Sequence, residues 1–275
     1  MALQSITLIG GGNMGRSLAG GLIRAGWPVA QVQIVDSDAD QREKIKRDLG
    51  IAATADGPGA VAVADAVVLA VKPQCMADTI RALAEALRVR RPLIISVAAG
   101  IPLQSIHNWI GARLPLVRAM PNTPALIGAG ATGMCCGADV TPGQKQLAER
   151  ILGAVGVVQW VEKEDLIDVV TALSGSGPAY FFLLMEELIH AGVEMGLTQA
   201  QARTLIVQTA LGTAQMASTG GHDPAELRRQ VTSPGGTTEQ ALRVLEESGL
   251  GEIVQRAVRA ARQRSGELAD KFGTS

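Results

Sequence analysis

The sequence predicts an α/β protein in which an N-terminal Rossmann-type parallel-sheet domain is followed by an all-α domain. A glycine-rich turn separates the first apolar strand pattern from the first helical one. Strand and helix patterns then alternate up to Trp160, and only helical periodicity follows it. Such alternation is typical of a parallel sheet with helical crossovers. We therefore predict a sheet domain at residues 1–162 and a helical domain at residues 163–275.

The glycine-rich turn has the G-x-G-x-x-G spacing found in dinucleotide-binding domains. It runs from Gly10 to Gly15, between a strand pattern at residues 5–9 and a helix pattern at residues 17–25. Gly10 permits the tight turn, and Gly12 lets the backbone approach a pyrophosphate. Gly15 lets the helix pack closely on the strand. The sheet domain is therefore predicted to bind a dinucleotide.

An acidic residue stands where such domains hold the adenine ribose. Asp36 follows the second strand pattern, Val32–Val35, at about 20 residues beyond the glycines. Its carboxylate would accept hydrogen bonds from the ribose hydroxyls and would repel a 2′-phosphate. The alternative is that Asp36 caps the next helix, which carries Arg42 and Lys44.

Three further apolar runs predict strands that are buried on both faces of the sheet. They cover residues 66–71, 93–97 and 116–120. Ligands of parallel sheets bind beyond the carboxyl ends of the strands, where Lys72, Asn122 and Thr123 lie. For Lys72 the alternative is a solvated lysine at a strand end.

A second glycine-rich stretch precedes a helix in the helical domain. Pro234, Gly235 and Gly236 interrupt regular structure, and Thr237 with Gln240 gives a capping-box pattern. The unpaired amides and the dipole of a helix start can hold a carboxylate or a phosphate, and here the amides of residues 235–237 are the candidates. The alternative is an ordinary capped junction between a loop and a helix.

The helical domain contains a segment that is apolar nearly all round, at residues 180–185. Such a helix must be buried, and a domain of this size buries it most simply against a second copy of the chain. A core helix within one chain is the alternative. The helix patterns of this domain cover residues 165–173, 179–195, 199–218, 239–247 and 251–268.

Composition excludes several classes of protein. A net charge of −1 and an aromatic content of 3% argue against nucleic-acid and membrane-surface binding. No stretch of about 18 uninterrupted apolar residues predicts a membrane span. The three cysteines, Cys75, Cys135 and Cys136, fit neither a disulfide framework nor a zinc site. We expect buried, reduced thiols in a cytoplasmic protein without a metal.

The side chains available for catalysis are few. His107, His190 and His222 lie outside the glycine-rich motifs and strand ends, and no lysine occurs between Lys163 and Lys271. The helical domain therefore lacks the lysine that hydroxyacid dehydrogenases of similar layout use as a general base. A nicotinamide cofactor, threonine hydroxyls and a helix N-terminus remain. A hydroxyacid dehydrogenase, an imine reductase and a non-catalytic dinucleotide sensor stay as alternatives.

Four motifs, in order along nearly the whole chain, resemble pyrroline-5-carboxylate reductase. They are Val-Lys-Pro-Gln at residues 71–74, Pro-Asn-Thr-Pro at 121–124, Ser-Gly-Ser-Gly-Pro-Ala at 174–179 and Ser-Pro-Gly-Gly-Thr-Thr at 233–238. The resemblance implies reduction of (S)-1-pyrroline-5-carboxylate to L-proline with NADPH or NADH. It also implies a homodimer that can assemble into a decamer of five dimers.

The resemblance also implies roles for individual residues. Thr238 matches the hydroxyl proposed to hydrogen-bond the imine nitrogen, which makes it the catalytic candidate. The substrate-binding candidates are Glu164, Gln230, Ser233, Gly235, Gly236, Thr237 and Thr238. The cofactor-binding candidates are Ile9, Gly10, Gly11, Gly12, Asn13, Met14, Asp36, Ser37, Ala70, Val71, Lys72, Pro73, Val97, Ala98 and Ala99.

Overall fold

A computed structural model describes residues 4–273, which contain one eight-stranded sheet. Its strand order is β3-β2-β1-β4-β5-β6-β7-β8, and all neighbours are parallel except β6 and β7. The strands are β1 (Ile6–Ile9), β2 (Val32–Val35), β3 (Ala52–Thr54), β4 (Ala66–Leu69), β5 (Leu93–Ser96), β6 (Leu116–Met120), β7 (Gly130–Cys136) and β8 (Gly156–Trp160). Because strand order reverses between β1 and β4, a crevice opens at their carboxyl ends.

The helices that cover the sheet are α1 (Asn13–Arg24), α2 (Ala39–Leu49), α3 (Gly57–Ala62), α4 (Pro73–Arg90), α5 (Leu103–Ile110) and α6 (Pro142–Gly153). The helices that follow the sheet in the chain are α7 (Leu166–Val170), α8 (Gly177–Glu194), α9 (Gln199–Thr219), α10 (Pro224–Gln230), α11 (Thr237–Glu247) and α12 (Leu250–Gly273). Between α7 and α8 the residues Thr171–Gly175 form a π-helical turn. Such turns often occur at functional sites.

The sheet has an apolar core on each face, as expected for buried parallel strands. Leu8, Ile34 and Ile95 point to one face and pack with α1 and α6. Leu69 and Ile94 point to the other, where α4 and α5 pack. The α/β class predicted from sequence is confirmed, and two strand patterns, Val32–Val35 and Leu116–Met120, match their strands residue for residue.

Three strands, and the helix α10 of the helical domain, were not predicted. The three-residue strand β3 has little apolar content, β7 contains two glycines, and β8 is an edge strand with alternating exposure. The short helix α10 carries two adjacent arginines and no buried residue. None of these segments has the apolar periodicity from which strands and helices are recognised.

The chain divides into two compact units. The Rossmann unit comprises Met1–Ser176 and Ala260–Ser275, and the helical unit comprises Gly177–Arg259. The boundary predicted at residues 162/163 marks the end of the sheet, since β8 ends at Trp160. The compact Rossmann unit continues beyond it because α7 packs against β6 and β7.

The apolar segment at residues 180–185 is not buried within one chain. Phe181 is 66% exposed and Phe182 is 64% exposed, so the alternative of an intrachain core helix is wrong. Within residues 4–273, one helical stretch, Leu166–Glu194, is long and apolar enough by composition to cross a membrane. A single such helix is weak evidence, because core helices of soluble proteins pass the same test. The uncovered apolar side chains instead fit the predicted helix-to-helix dimer.

We expect Phe182→Glu to weaken self-association at least thirty-fold, since loss of a buried aromatic anchor typically costs about 2 kcal/mol or more. Light scattering across a concentration series measures the change. Val89→Glu is the control, because Val89 is 76% exposed on α4 of the Rossmann unit. Equal oligomer stability in both variants would contradict a dimer built on α8.

Candidate functional site

A cleft of about 640 Å³ opens at the carboxyl ends of β1, β2 and β4. The predicted cofactor residues that line it are Ile9, Gly10, Gly12, Asp36, Ser37, Ala70, Val71 and Lys72. The cleft is also lined by residues that were not predicted from sequence: Ala55, Gly57 and Pro58 after β3, and Thr79 and Leu83 on α4. They follow a strand that the apolar pattern does not reveal, or lie on the inner face of a helix. Of the remaining predicted cofactor residues, Gly11, Asn13 and Pro73 are adjacent in the chain to cleft-lining residues, and Met14 follows Asn13. Val97, Ala98 and Ala99 follow β5 and do not line this cleft.

The turn between β1 and α1 fits a pyrophosphate. Gly10 has φ +107°, and a Cβ there would lie 2.7 Å from the carbonyl oxygen of Ala70. A Cβ on Gly15 would lie 2.0 Å from the carbonyl oxygen of Gly10. A Cβ on Gly12 would meet nothing within 4 Å, so this side of the turn is open space. Close packing at Gly10 and Gly15 therefore fixes the turn, while the open side at Gly12 lets a ligand approach the backbone.

Asp36 joins the glycine turn to the ribose end of the cleft. Its Oδ2 accepts from the amide of Gly11 (2.7 Å) and its Oδ1 from the amide of Asp38 (2.9 Å). The N-cap of α2 is Asp38, whose carboxylate accepts from the amides of Asp40 and Gln41. The alternative that Asp36 caps this helix is therefore wrong. Arg42 donates to the carbonyl oxygen of Asp36 (2.9 Å) and is held on the backbone there.

Asn122, which follows β6, uses its side chain for hydrogen bonds within the protein. The Asn122 side chain donates to the carbonyl oxygen of Ser174 (3.0 Å) and accepts from the amide of Ala131 (2.9 Å). These bonds tie the π-helical turn to the end of the strand. Lys72 is exposed and is the N-cap residue of α4, where it also lines the cleft.

The predicted anion-binding loop differs from expectation at its helix start. Gly236, not Thr237, is the N-cap of α11, and Gln240 pairs with Arg243 instead of completing a capping box. Glu239 reaches back from the first turn, and its Oε2 accepts from the amide of Gly235 (2.8 Å). A threonine box cannot form, because the helix begins one residue earlier than the pattern implies.

This geometry shifts the candidate anion site toward the helix. The amide of Gly236 donates to the carbonyl oxygen of Ser233 (3.0 Å), so the amides of both glycines already have acceptors. The first intrahelical bond runs from Gln240 to Gly236. The amides of Thr237, Thr238 and Glu239 precede it, and such first-turn amides can bind an anion. The Thr238 side chain is half-buried, whereas Thr237 is exposed.

Three arginines face the groove between α10 and α11, the helices on either side of this loop in the helical unit. A cleft of about 400 Å³ between α10 and α11 is lined by Arg228, Arg229 and Arg243 together with Thr232 and Glu239. Arg228 forms an ion pair with Glu246 (3.2 Å). Gln230, the last residue of α10, is exposed next to them. The lining also includes Glu246, so three arginines and two glutamates leave the cleft with one net positive charge, which favours an anionic ligand there over a cationic one.

Glu164 lies in a different environment, within the Rossmann unit. Its Oε1 accepts from the amide of Leu103 (2.7 Å) and from the guanidinium of Arg118 (3.1 Å). Arg118 on β6 is only 3% exposed and was not identified from sequence, because a single arginine in an apolar strand gives no recognisable signal. Burial and the nearby charge of Glu164 raise the pKa of the Cys135 thiol to about 12, which keeps it protonated.

The other cysteines differ from expectation. Cys75 is exposed and lines the cleft, whereas a buried residue was predicted; Cys136 is partly exposed. Cys75 lies in the first turn of α4, where the helix begins at the cleft edge. Within residues 4–273, no group of three or more His, Cys, Asp or Glu side chains comes together as a metal site would require.

A glycine turn over an open cleft at the switch point of a parallel sheet, followed by a helical unit, defines the class of Rossmann-fold dinucleotide-dependent oxidoreductases. Residues 164–268 match the family model described as pyrroline-5-carboxylate reductase dimerisation. Residues 5–100 match the model described as NADP oxidoreductase coenzyme F420-dependent.

Full-length relatives specify the family. The chain is 49% identical to pyrroline-5-carboxylate reductase of Pseudomonas aeruginosa, over 99% of this chain and 100% of that protein. The pyrroline-5-carboxylate reductase structure from Coxiella burnetii is 44% identical, with a TM-score of 0.94 over 97% of this chain and 99% of that one. That of Plasmodium falciparum, solved with NADP bound, has 28% identity and a TM-score of 0.85, and covers 98% of this chain and 99% of that one. The chain therefore belongs to the pyrroline-5-carboxylate reductase family.

We expect Gly12→Ala to fold normally but to weaken dinucleotide binding at least ten-fold, because its methyl group would project into the open space where a pyrophosphate approaches. Titration of protein into NADH or NADPH, followed by nucleotide fluorescence, measures the affinity. Gly15→Ala is the matched comparison and should lower the melting temperature instead, since its methyl group meets the turn itself. Unchanged dinucleotide binding by folded Gly12→Ala would contradict this placement.

Proposed function

We propose that the chain reduces (S)-1-pyrroline-5-carboxylate to L-proline with hydride from NAD(P)H. Identity to a named reductase over the full length of both proteins carries this proposal. Two local geometries support it: a glycine turn beside an open cleft in the Rossmann unit, and a threonine-bearing helix start among arginines in the helical unit.

The Rossmann unit holds the cofactor, and a bound nicotinamide dinucleotide supplies the hydride. The turn at residues 10–14 takes the pyrophosphate, and Asp36 with Ser37 takes the adenine ribose. The strand ends at residues 70–73 and 97–99 carry the rest of the dinucleotide. Asp36 makes NADH usable, and Arg42 on the neighbouring backbone offers the nearest positive charge for a 2′-phosphate.

The helical unit holds the substrate. The carboxylate of pyrroline-5-carboxylate is taken by the amides of Thr237 and Thr238, at the positive end of the α11 dipole. Ser233, Gly235 and Gly236 shape the turn before it, and Gln230 flanks it. The Thr238 hydroxyl then lies within reach of the ring nitrogen next to the carboxylate, and it can donate to or accept from that nitrogen.

The chemistry needs no strong base. A protonated cyclic imine is electrophilic enough to accept hydride, so the protein mainly orients the donor and the acceptor. Threonine is a very weak acid, so Thr238 orients the nitrogen and the proton comes from solvent or is already on the imine. A hydroxyacid dehydrogenase would need a general base that the helical unit does not offer, since no lysine lies between Lys163 and Lys271.

The chain forms a homo-oligomer, since it carries the dimerisation segment of the family. We propose further that five dimers assemble into a decamer. We also propose that the protein is cytoplasmic. A surplus of exposed apolar residues on the helical unit supports further contacts, and three cysteines without disulfide spacing support a reducing compartment. Light scattering of the purified protein distinguishes a dimer from a decamer.

The activity is tested by following the absorbance of NADH and NADPH separately after pyrroline-5-carboxylate is added. Oxidation should occur with this substrate and be much slower with 1-pyrroline, which lacks the carboxylate. Turnover of 2-hydroxy acids with NAD(P)⁺ would instead favour a hydroxyacid dehydrogenase. Cofactor binding without oxidation by any imine would indicate a sensor.

We expect Thr238→Ala to lower kcat by roughly ten- to a few hundred-fold, the range for losing one orienting or donor group. Dinucleotide affinity should hardly change, because the cofactor residues belong to the Rossmann unit. Thr238→Ser should recover much of the rate. If Thr237→Ala loses the activity while Thr238→Ala keeps it, the neighbouring hydroxyl has this role.

We expect Asp36→Asn to raise the ratio of kcat/KM with NADPH to kcat/KM with NADH roughly ten-fold. The substitution removes the charge repulsion between Asp36 and the 2′-phosphate, and ten-fold corresponds to about 1.4 kcal/mol. Asparagine is preferable to alanine because its carbonyl can still accept from the Gly11 amide. Asp40→Asn removes an equal charge from an exposed residue that does not line the cleft. The same ratio in wild type and Asp36→Asn would leave Asp36 only a backbone-holding role.

A further inference from the structure

A buried ionic cluster in the Rossmann unit is not used by the proposed chemistry. Arg118 contacts Glu164 (3.1 Å) and Asp168 (3.3 Å), and its side chain is 3% exposed. Asp168 also accepts from the hydroxyl of Ser265 on α12 (2.8 Å). The cluster thereby connects β6, the segment around α7 and the end of α12.

The cluster holds one particular loop, the connection between β5 and α5 at residues 97–102. Pro102 is the N-cap of α5 and provides no side-chain cap, so Glu164 supplies the acceptor for the first helical amide, that of Leu103 (2.7 Å). On its other side the loop meets α12: a Cβ on Gly100 would come within 3.1 Å of the Cβ of Leu268. The loop is therefore held between Glu164 and the end of α12.

The same α12 segment is attached to α5 beyond the loop. The Ser105 hydroxyl donates to the carbonyl oxygen of Gly273 (2.8 Å), and Phe272 packs on the core beneath α5. Ser265 is 4% exposed, so its bond to Asp168 lies in the protein interior. Arg118 thus acts on both sides of the loop, through Glu164 on one side and through Asp168 and Ser265 on the other.

Stability alone does not explain this arrangement. The Nε of Arg118 is buried without a hydrogen-bond partner among the described residues, as is the hydroxyl of Ser96, which is its neighbour in the β5–β6 register. Burying charged groups costs free energy that ion pairs often fail to recover, and apolar side chains of similar size frequently serve stability as well. Ion pairs and hydrogen bonds are directional, so the ionic cluster fixes the positions of the elements that it connects: β6, the start of α5, α7 and α12.

We infer that Arg118 is a positioning residue, which sets the β5–α5 loop through Glu164 and Asp168 and thereby the nicotinamide end of the cofactor. This inference rests on the proposed contact of residues 97–99 with the dinucleotide. Glu164, expected from sequence beside the substrate, acts in this inference through the Leu103 amide, from which it accepts a hydrogen bond. The adenine end depends on Asp36 and the glycine turn, which the cluster does not contact.

Matched variants test the inference. Glu164→Gln keeps an acceptor for the Leu103 amide but breaks the ion pair with Arg118. Asp168→Asn and Ser265→Ala weaken the connection to α12. Arg118→Lys retains the positive charge, whereas Arg118→Met removes it. Asp165→Asn is the control, because Asp165 is exposed and makes no side-chain cap at α7. The measurements are kcat, KM for both substrates, affinity for NADPH and for ADP-ribose, which lacks the nicotinamide, and melting temperature.

The variants should lower kcat roughly ten- to a hundred-fold, the cost of misplacing a reacting group by about 1 Å, with KM for pyrroline-5-carboxylate little changed. NADPH binding should weaken and ADP-ribose binding should not. Arg118→Lys should recover part of the loss, and the effects of Glu164→Gln and Asp168→Asn should be strongly non-additive because they share Arg118. Asp165→Asn should behave as wild type.

Three results would overturn the inference. Equal weakening of NADPH and ADP-ribose would indicate a general structural role, and additive effects with a raised KM for pyrroline-5-carboxylate would place Glu164 on the substrate. Normal kcat in folded Glu164→Gln and Asp168→Asn would remove the role even if Arg118→Met does not fold. Should wild type fail to reduce pyrroline-5-carboxylate, the proposed function fails, yet the comparison of NADPH with ADP-ribose still decides the inference.

Discussion

The fit between β1 and α1 is the constraint on which the Rossmann unit depends. A Cβ on Gly15 would lie 2.0 Å from the carbonyl oxygen of Gly10, and a Cβ on Gly10 would lie 2.7 Å from that of Ala70. The helix can therefore start against the strand only if both positions lack side chains. That contact sets where the turn ends and which amides face the crevice. Asp36 then accepts from the Gly11 amide, so one hydrogen bond connects the glycine turn to the end of β2.

The helical unit has a different constraint, since it cannot bury its own apolar surface. Side chains along α8 that would form a core in a larger domain are exposed on the single chain. A second copy of the chain removes this surface from water, which stabilises both chains in proportion to the apolar area covered.

The candidate chemistry uses few side chains because the reaction requires little from them. In the proposed mechanism, backbone amides at the start of α11 and the half-buried Thr238 take the place of an acid–base pair. Glu239 and Ser233 accept from the two glycine amides before the helix, so the amides that precede the first intrahelical bond are those of Thr237, Thr238 and Glu239. Arginines nearby add positive charge without needing an exact geometry.

The sequence by itself determined the fold class, the glycine turn, Asp36 and the threonine loop, because each depends on local backbone rules or on unbroken apolar periodicity. Tertiary structure decided what those rules do not contain. It placed the start of α11 at Gly236, assigned the cap of α2 to Asp38, and left α8 uncovered. It also brought Arg118, Glu164, Asp168 and Ser265 together from widely separated segments. Contacts of this kind arise only when the strands and helices have packed, so local pattern carries no trace of them.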